Sequence, residues 1–287
     1  ISYVADTHLG KKIVIVTDET IETLHSNELD ELKNGLEEQQ PLLISLEPGE
    51  KSKTRNTKTM IEDVMLDHNL GRDSVLIAVG GGVVRDIEGF VAATINSGIP
   101  IIQVPTTLLA MVDSSVGGKT GINTPKGKNL IGSFYQPNAV FVDLDFLKTL
   151  SEDEFVNGLV ESVKMALGMD KELFSFIEEN KEAILKKETG SLLEVIQRSI
   201  ELKKKVVEKD EKEAGYRQIL NIGHTVGHAL EAEADYSEKH GFCVSKGIVV
   251  EGAIAKKKEL LSEEDYDRVV SLLNSLGLRT SIDLSVD

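Results

Sequence analysis

Cysteine is almost missing from this chain of 287 residues: Cys243 stands alone. That excludes an intramolecular disulfide and fits a reducing, cytoplasmic setting. No apolar run approaches the ~18 residues needed to span a bilayer, and no signal peptide is legible. Positive charge is also scarce, with 32 Lys and Arg against 48 Asp and Glu and a net charge of −16. This balance argues against nucleic acid or an acidic membrane surface as the main partner, and leaves room for a small anion at a local basic cluster. A hydrophobic fraction of 40% and a charged fraction of 28% are those of a soluble globular protein. The length suits one large or two ordinary domains. The chain opens on Ile1 rather than Met, an indication that terminal residues are missing.

One stretch stands out from this background. Residues 104–136, VPTTLLAMVDSSVGGKTGINTPKGKNLIGSFYQ, hold more Gly, Ser, Thr, Lys and Asn than a core needs. Neither a helical period nor strict alternation runs through them, so they read as a long structured loop. Val104, Leu108, Leu109, Met111, Val116, Ile122, Leu130, Ile131 and Phe134 can anchor it, leaving Asp113, Lys119, Lys128 and Asn129 as polar groups on a packed frame. Gly117, Gly118, Gly121, Gly127 and Gly132 would let backbone N–H groups approach an anion. A substrate is expected here.

Strands and helices alternate around this stretch. Residues 12–16, 42–46, 75–79 and 99–104 read as strands, with 139–142 as a further one, and 21–36, 56–70 and 83–95 have helical spacing. Such alternation argues a parallel sheet with helical crossovers. After Lys148 the strand signals fade, and 151–167, 171–187, 191–209 and 219–234 read as helices. Ser151 with Glu154 is a capping-box pattern. The expected organisation is α/β followed by all-α, with domains over 1–148 and 149–287. The charged run 201–213 reads as a solvated helix end, Lys203 being a candidate exception.

Two constellations carry chemistry. Gly80-Gly81-Gly82 stands where a strand ends and a helix begins, where open α/β sheets bind ligands and a helix N-terminus favours phosphate. The spacing is not GxGxxG, and a tight turn explains it equally well. Asp18, Glu50 and Lys53 also follow strands and could meet a nucleotide at the same edge, although each singly reads as a cap or turn residue. The second constellation is Gly223-His224-Thr225-Val226-Gly227-His228, followed by His240. His at i and i+4 share a helix face, and a catalytic zinc usually has three protein ligands and one open position. Glu161, with Lys164 one turn away, is the best carboxylate for the set. The spacing leaves open which two His are ligands, and buried, hydrogen-bonded His remain the alternative.

In this order, VPTTLLAMVDSSVGGKTGIN, GKNLIGSFYQP, GLVESVK and LNIGHTVGHALE resemble the 3-dehydroquinate synthase family, from Asp18 to about Gly247. Other sugar phosphate cyclases share the fold but usually alter the DSSVGGKTG segment, which is intact here. The resemblance implies a Rossmann-like NAD-binding domain and a helical domain carrying zinc, with cobalt as the alternative ion. It further implies an active site in the cleft and a homodimer. The implied reaction turns the phosphorylated keto acid DAHP into 3-dehydroquinate and phosphate, in the shikimate pathway to aromatic amino acids. NAD oxidises a ring hydroxyl, phosphate leaves by β-elimination, the ketone is reduced back, and the opened ring closes as a carbocycle.

By the same resemblance, Glu161, His224 and His240 are the zinc ligands, and His228 faces the reacting centre instead. Lys119, Lys128, Asn129, Lys164, Lys203, Arg217 and Asn221 take the substrate's carboxylate, hydroxyls and phosphate. Asp18, Glu50, Lys53, Gly80, Gly81, Gly82, Asp86, Thr106, Thr107 and Leu108 match NAD-contacting positions, with Asp113, Lys119 and Lys128 shared between cofactor and substrate. The expected catalytic set is Asp113, Lys119, Asn129, Lys164, Arg217 and His228. Some positions depart from the family pattern. Arg85 replaces a Gly in the glycine turn, and Ser97 replaces an Arg expected to reach the substrate phosphate. Phe242 replaces a Glu after His-Gly, and Lys246 interrupts an apolar segment. The N-terminal hairpin is abbreviated, and the chain stops at Asp287, before a lysine-bearing segment of the family. These departures admit two other readings, a catalytically weak or non-catalytic NAD- and metal-binding homologue and a cyclase with a different product.

Overall fold

Two runs, KIVIVTD and SVLIAVG, are aliphatic and β-branched almost throughout, the pattern of parallel strands covered on both faces. In the computed structural model, which describes residues 1–234 and 237–281, they are inner strands of a five-stranded parallel sheet. The chain divides into two units, Ile1–Thr149 and Leu150–Asp287. The first contains α1 (Ser2–Thr7), β1 (Lys12–Asp18), α2 (Glu19–Leu24), α3 (Ser26–Asn34), β2 (Leu42–Leu46), α4 (Arg55–Asp67), β3 (Ser74–Gly80), α5 (Gly82–Thr94), β4 (Ile101–Pro105), β5 (Lys119–Thr124), β6 (Gly127–Phe134) and β7 (Ala139–Val140). The sheet order is β2-β1-β3-β4-β7, with Ile15 beside Ile77 and Ile77 beside Ile102. Val14, Val16, Leu76, Ala78 and Ile101 of the sheet share one core with Ile61 and Met65 of α4 and Val84, Ile87 and Val91 of α5. Each parallel strand therefore runs out at one edge, ending in Asp18, Leu46, Gly80 and Pro105.

Residues 104–136 are not a loop. A π-helical turn at Ala110–Ser114 follows β4, and β5 and β6 then form an antiparallel hairpin that pairs Lys119 with Phe134 and Gly121 with Gly132. Its glycines break the alternation that would have revealed the strands. A Cβ on Gly132 would lie 2.0 Å from the Thr120 carbonyl oxygen, and one on Gly121 would lie 2.7 Å from that of Ile131. These two glycines serve close strand pairing rather than an anion. Ile122 turns inward and joins the sheet's core.

Single helices expected over 21–36 and 171–187 are each broken in two, at His25 and at Asn180. His25 is buried against Phe146, its Nε2 2.6 Å from Thr149 Oγ1. That tertiary anchor outweighs local helical spacing.

The second unit is helical: α6 (Glu152–Met169), α7 (Lys171–Glu179), α8 (Lys181–Leu185), α9 (Thr189–Lys209), α10 (His224–Glu233), α11 (His240–Lys257) and α12 (Glu263–Ser275). The helix expected over 219–234 begins only at His224, after a 3-10 segment, Tyr216–Asn221. Ser151 caps α6, its Oγ accepting from the Glu154 N–H at 3.4 Å. Glu154 itself turns away to pair with Lys239, so only half of the capping box forms. Phe155, Leu159, Val160, Val163, Met165 and Ala166 are buried, which encloses α6 and takes Asn157, Glu161, Ser162 and Lys164 inside with them. The chain's end at Asp287 lies outside the described residues. Among the described residues no helix is long and apolar enough to cross a membrane.

Glu88 is the anomaly of the first unit. It is fully buried on α5, and neither carboxyl oxygen has a hydrogen-bond partner among the described residues. Burial holds its pKa well above the usual carboxylate range, because the neutral form is the one an apolar site tolerates. A pKa raised by folding contributes stability that is complete below the unfolded value and is lost as pH rises from that value through the folded one, at roughly 1.4 kcal/mol per pH unit between the two. Glu88→Gln should therefore flatten the alkaline limb of melting temperature against pH, followed by circular dichroism from about pH 5 to 9. Parallel profiles for wild type and variant would clear Glu88 of that role.

Candidate functional site

Three helices bring a metal-type donor set together in the second unit. Gly223 adopts a left-handed φ of 76° at the N-cap of α10, a conformation that costs glycine little. The chain can thus turn sharply and present His224 at the first helical position. Gly241 allows the start of α11 to lie against α6: a Cβ there would sit 2.1 Å from the Asn157 carbonyl oxygen. The Gly241 N–H donates to Asn157 Oδ1 at 2.6 Å. His240 is consequently held one helical turn from Glu161 along α6.

Glu161, His224 and His240 each offer one ligand atom within 4.8 Å of the others. His240 Nε2 is 3.4 Å and His224 Nε2 3.7 Å from Glu161 Oε1. Glu161 is 1% exposed, and although Lys164 pairs with it, neither oxygen has a well-formed hydrogen bond. The far nitrogens are engaged, His224 Nδ1 lying 3.1 Å from the Ile222 carbonyl oxygen and His240 Nδ1 3.1 Å from Glu231 Oε2. A carbonyl only accepts, so His224 carries its proton on Nδ1 and turns the Nε2 lone pair toward Glu161. A buried carboxylate without aligned donors, facing the His224 lone pair and His240 Nε2, fits a divalent cation. One carboxylate and two imidazoles suit zinc or cobalt and leave a position open.

The electrostatics of the cluster divide its two imidazoles. Burial pushes His224 down to about 4. Burial also disfavours charge on His240, but Glu161 and Glu231 outweigh it and raise His240 to about 9. Burial alone would raise Glu161, yet Lys164 and the two imidazoles hold it well below the carboxylate range. His228, on the same face of α10 as His224, does not reach Glu161. Its ring meets His224 edge-on at 5.2 Å, its Nε2 lies 4.0 Å from Glu231, and its side chain is 63% exposed. His228, Glu231 and His240 form a second, looser donor group.

The other expected residues of this unit gather near α6 and α9. Lys164 and Lys203 are buried, so Lys203 is indeed no part of a solvated face. Ser199 Oγ donates to Ser162 Oγ at 3.0 Å, which ties α9 to α6 one turn before Lys203. Arg217 is buried and donates from Nη1 to the Glu211 carbonyl at 2.6 Å, and Asn221 donates from Nδ2 to Glu213 Oε1 at 3.1 Å. Asp210 collects the N–H groups of Ala214, Gly215 and Arg217 and so shapes the turn that carries Arg217.

In the first unit the expected nucleotide residues line the carboxyl edge of the sheet. α5 starts without a side-chain cap, leaving its first N–H groups for a ligand. Gly80 is required by packing, since a Cβ there would lie 2.6 Å from Val84. At Gly82 the nearest atom to a Cβ would be Ser114 Oγ at 3.8 Å, so backbone is open to a ligand at that point. Thr106 is buried with Oγ1 lacking a hydrogen-bond partner among the described residues, Thr107 Oγ1 accepts from the Ala110 N–H at 3.2 Å, and Leu108 is fully buried. Asp18 caps α2, accepting from the N–H groups of Thr20 and Ile21.

Lys53 and Asp86 form a buried ion pair, and burial lowers Lys53 to about 8. Arg85 takes the other Asp86 oxygen and donates to the Lys119 carbonyl at 3.1 Å. Burial lowers Arg85 only to about 10, so it remains charged and joins α5 to the hairpin. Asp113, Lys119 and Lys128 belong to this hairpin region, with Asn129 exposed at a left-handed φ of 56°.

Asn123 was missed by the sequence reading. Its N–H donates to the Lys53 carbonyl at 2.8 Å, its Nδ2 to Glu50 Oε1 at 2.7 Å, and its Oδ1 accepts from the Asn129 N–H at 3.0 Å. The one signal available was its place as the last residue of GKTGIN.

Two of the departures are seated in packed contacts. Phe242 is buried under the Arg279 guanidinium, 4.5 Å from the ring centre. Lys246 donates to both Glu238 oxygens at 2.8 and 2.9 Å. Ser97 is exposed in the turn after α5.

A parallel α/β unit with an open glycine turn, followed by a helical unit with a Glu/His/His cluster, is the architecture of a sugar phosphate cyclase. The 3-dehydroquinate synthase N-terminal family matches residues 43–157 and the 3-dehydroquinate synthase C-terminal family residues 158–287. The chain belongs to the 3-dehydroquinate synthase family. It is 42% identical over 280 residues to the 3-dehydroquinate synthase of Aliivibrio fischeri, covering 96% of this chain and 77% of that protein. It is 46% identical over 273 residues to that of Geobacter metallireducens, covering 94% and 75%. Among solved structures, the 2-epi-5-epi-valiolone synthase of Streptomyces hygroscopicus with NAD+ and Zn2+ bound is similar with a TM-score of 0.90 at 27% identity, over 99% of this chain and 79% of that one. A 2-deoxy-scyllo-inosose synthase complexed with carbaglucose-6-phosphate, NAD+ and Co2+ is similar with a TM-score of 0.86 at 28% identity, over 96% and 75%.

Because the obstacle at Gly241 is backbone, Gly241→Ala should push α11 off α6 and destabilise the second unit by about 1–3 kcal/mol. The check is the urea midpoint by circular dichroism. An unchanged midpoint would mean that this close approach does not fix His240.

Proposed function

We propose that this protein is a 3-dehydroquinate synthase, a carbon–oxygen lyase that converts DAHP into 3-dehydroquinate and phosphate, using NAD and a zinc or cobalt ion. The observation that carries the reading is Glu161, buried without an aligned hydrogen bond and facing two imidazoles whose far nitrogens are engaged. Relatives 42–46% identical and named for this reaction support the substrate, against 27–28% for the two cyclases with other names. The NAD+ with Zn2+ or Co2+ in those two structures supports the cofactors.

In this reading Glu161, His224 and His240 hold the metal. The open N-terminus of α5 at Gly81 and Gly82 takes the dinucleotide's phosphates, with Lys53, Asp86 and Thr106 beside it. Once bound there, the metal would supply polarisation of the hydroxyl to be oxidised, and NAD would supply the acceptor and source of the hydride. Lys119, Lys128 and Asn129 in one unit, and Lys164, Lys203, Arg217 and Asn221 in the other, supply the donors for a carboxylate, several hydroxyls and a phosphate. Donors that are charged make shorter and stronger hydrogen bonds to such anions, and burial of Lys164, Lys203 and Arg217 strengthens them further. Their cations offset the charge that grows on phosphate as its bond to carbon breaks. His228 lies beside the metal cluster without being needed as a ligand, and so is suited to moving a proton at the reacting centre. Assembly as a homodimer and a cytoplasmic location belong to the same reading.

The test is phosphate release from DAHP by the purified chain, with NAD and zinc each supplied and withheld. Release that needs both, with 3-dehydroquinate as product, is expected, and release indifferent to either would sink the reading. Glu161→Gln keeps the shape and removes the charge. It should lower turnover by at least the roughly 100-fold that marks loss of a metal's supporting group, with the far-ultraviolet circular dichroism unchanged.

A further inference from the structure

His240 lies between two buried carboxylates. Its Nε2 is 3.4 Å from Glu161 Oε1, and its Nδ1 is 3.1 Å from Glu231 Oε2. Glu231 is 4% exposed, on the same stripe of α10 as His224 and His228 at intervals of four and three residues. One imidazole therefore joins two donor groups, Glu161 with His224 and His228 with Glu231. A neutral imidazole has one lone pair and one N–H, so it ligates in one group and donates a hydrogen bond in the other. Either Glu161 binds the ion and Glu231 accepts the Nδ1 proton, or Glu231 binds and Glu161 accepts from Nε2.

The surroundings break the tie. His224 is locked by the Ile222 carbonyl, so its lone pair points at Glu161 whatever His240 does. Without a cation there, a lone pair would confront a carboxylate that is 1% exposed and has no aligned donor. The other group has no such need: His228 is 63% exposed at its side chain and 4.0 Å from Glu231, so water can serve its ring, and Glu231 Oε2 already lies 3.1 Å from His240 Nδ1. The ion belongs with Glu161.

We propose that Glu231 is a positioning residue for the metal centre, the carboxylate that holds the His240 proton on Nδ1 and so directs Nε2 to the ion, and is not itself a ligand. Carboxylate acceptors behind metal-bound His fix the tautomer and ring orientation and raise the basicity of the ligating nitrogen. The two His ligands differ in this respect. His224 is oriented by a neutral carbonyl, and His240 by a carboxylate, which makes His240 the stronger donor of the pair. The inference rests on the metal reading of the Glu161 cluster.

The experiment is titration of the full, metal-stripped chain with Co2+, followed by its visible absorption, together with chelator competition and metal analysis. Wild type should bind one ion per chain. Glu231→Ala should weaken affinity by roughly 10–100-fold at the same stoichiometry and band positions. Glu231→Gln, of the same shape and retaining an acceptor oxygen, should recover part of that loss. Its melting temperature is the control for folding. An unchanged affinity in Glu231→Ala would overturn the proposal. So would two ions in wild type falling to one in Glu231→Ala, since Glu231 would then be a ligand. Failure of the underlying metal reading looks different: wild type takes up no ion, or Glu161→Gln binds as tightly as wild type.

Discussion

A negative charge inside a helix bundle is the constraint on which the second unit depends. Removing a carboxylate from water costs several kcal/mol even after relaxation, and Glu161 sits on a helix enclosed nearly all round. Lys164, one turn along, meets part of the charge. His224 and His240, each the first residue of its own helix, complete the donor set around it. Both helix starts can reach Glu161 because a glycine stands beside each His, Gly223 as a left-handed turn and Gly241 as a gap against the Asn157 carbonyl. An apolar replacement of Glu161 and Lys164 could pack as well or better. The retained charge is thus an expense in stability that makes sense for a site that must hold a cation.

The first unit meets a different demand with a related device. Its parallel sheet ends at one edge, and the turn from β3 into α5 leaves a helix N-terminus without a cap. Two nearby cations share one anion: Asp86 pairs with both Lys53 and Arg85, and Arg85 reaches the hairpin through the Lys119 carbonyl. Asn123 adds a polar clasp among the loop after β2, Lys53 and Asn129. Hydrogen bonds of this kind contribute about 1 kcal/mol each, enough together to keep Glu50, Lys53 and Asn129 in one arrangement.

How much of this was legible depended on where the determining contacts lie in sequence. The inner strands were readable because burial on both faces selects uninterrupted β-branched runs. The start of α6 was readable because Ser151 is a local signal. The hairpin over residues 119–134 was hidden by Gly121 and Gly132, whose absent side chains serve pairing and erase the alternation a strand would show. For the metal cluster, spacing narrowed the candidates to three His and Glu161 but could not choose between His228 and His240, and family resemblance made that choice. The physical reason is tertiary: His228 shares a helix face with His224 but points toward Glu231, whereas Gly241 packs His240 against α6. Asn123 and Glu231 had no signal beyond their places as the last residues of GKTGIN and LNIGHTVGHALE. Asn123 meets residues 50 and 53, some seventy positions away, and Glu231 matters only through a ring nitrogen on the next helix.

The departures from the family pattern acquire a physical account on the same grounds. Phe242 and Lys246 lie on α11, two and six residues after His240, yet neither is a donor in the cluster. Phe242 packs inward and carries the Arg279 guanidinium on its face. Arg279 lies 3.4 Å from Glu238, which also takes Lys246, and its carbonyl accepts from Ser245 Oγ at 2.6 Å. One wall of the α11 start is therefore the backbone of α6, and the other is this set of aromatic and charged contacts. Substitution of the supporting wall is tolerable because the metal reading asks only for the position of one nitrogen, His240 Nε2. That position is over-determined by Asn157 on one side and Glu231 on the other. Residues that touch neither can change in character without moving it.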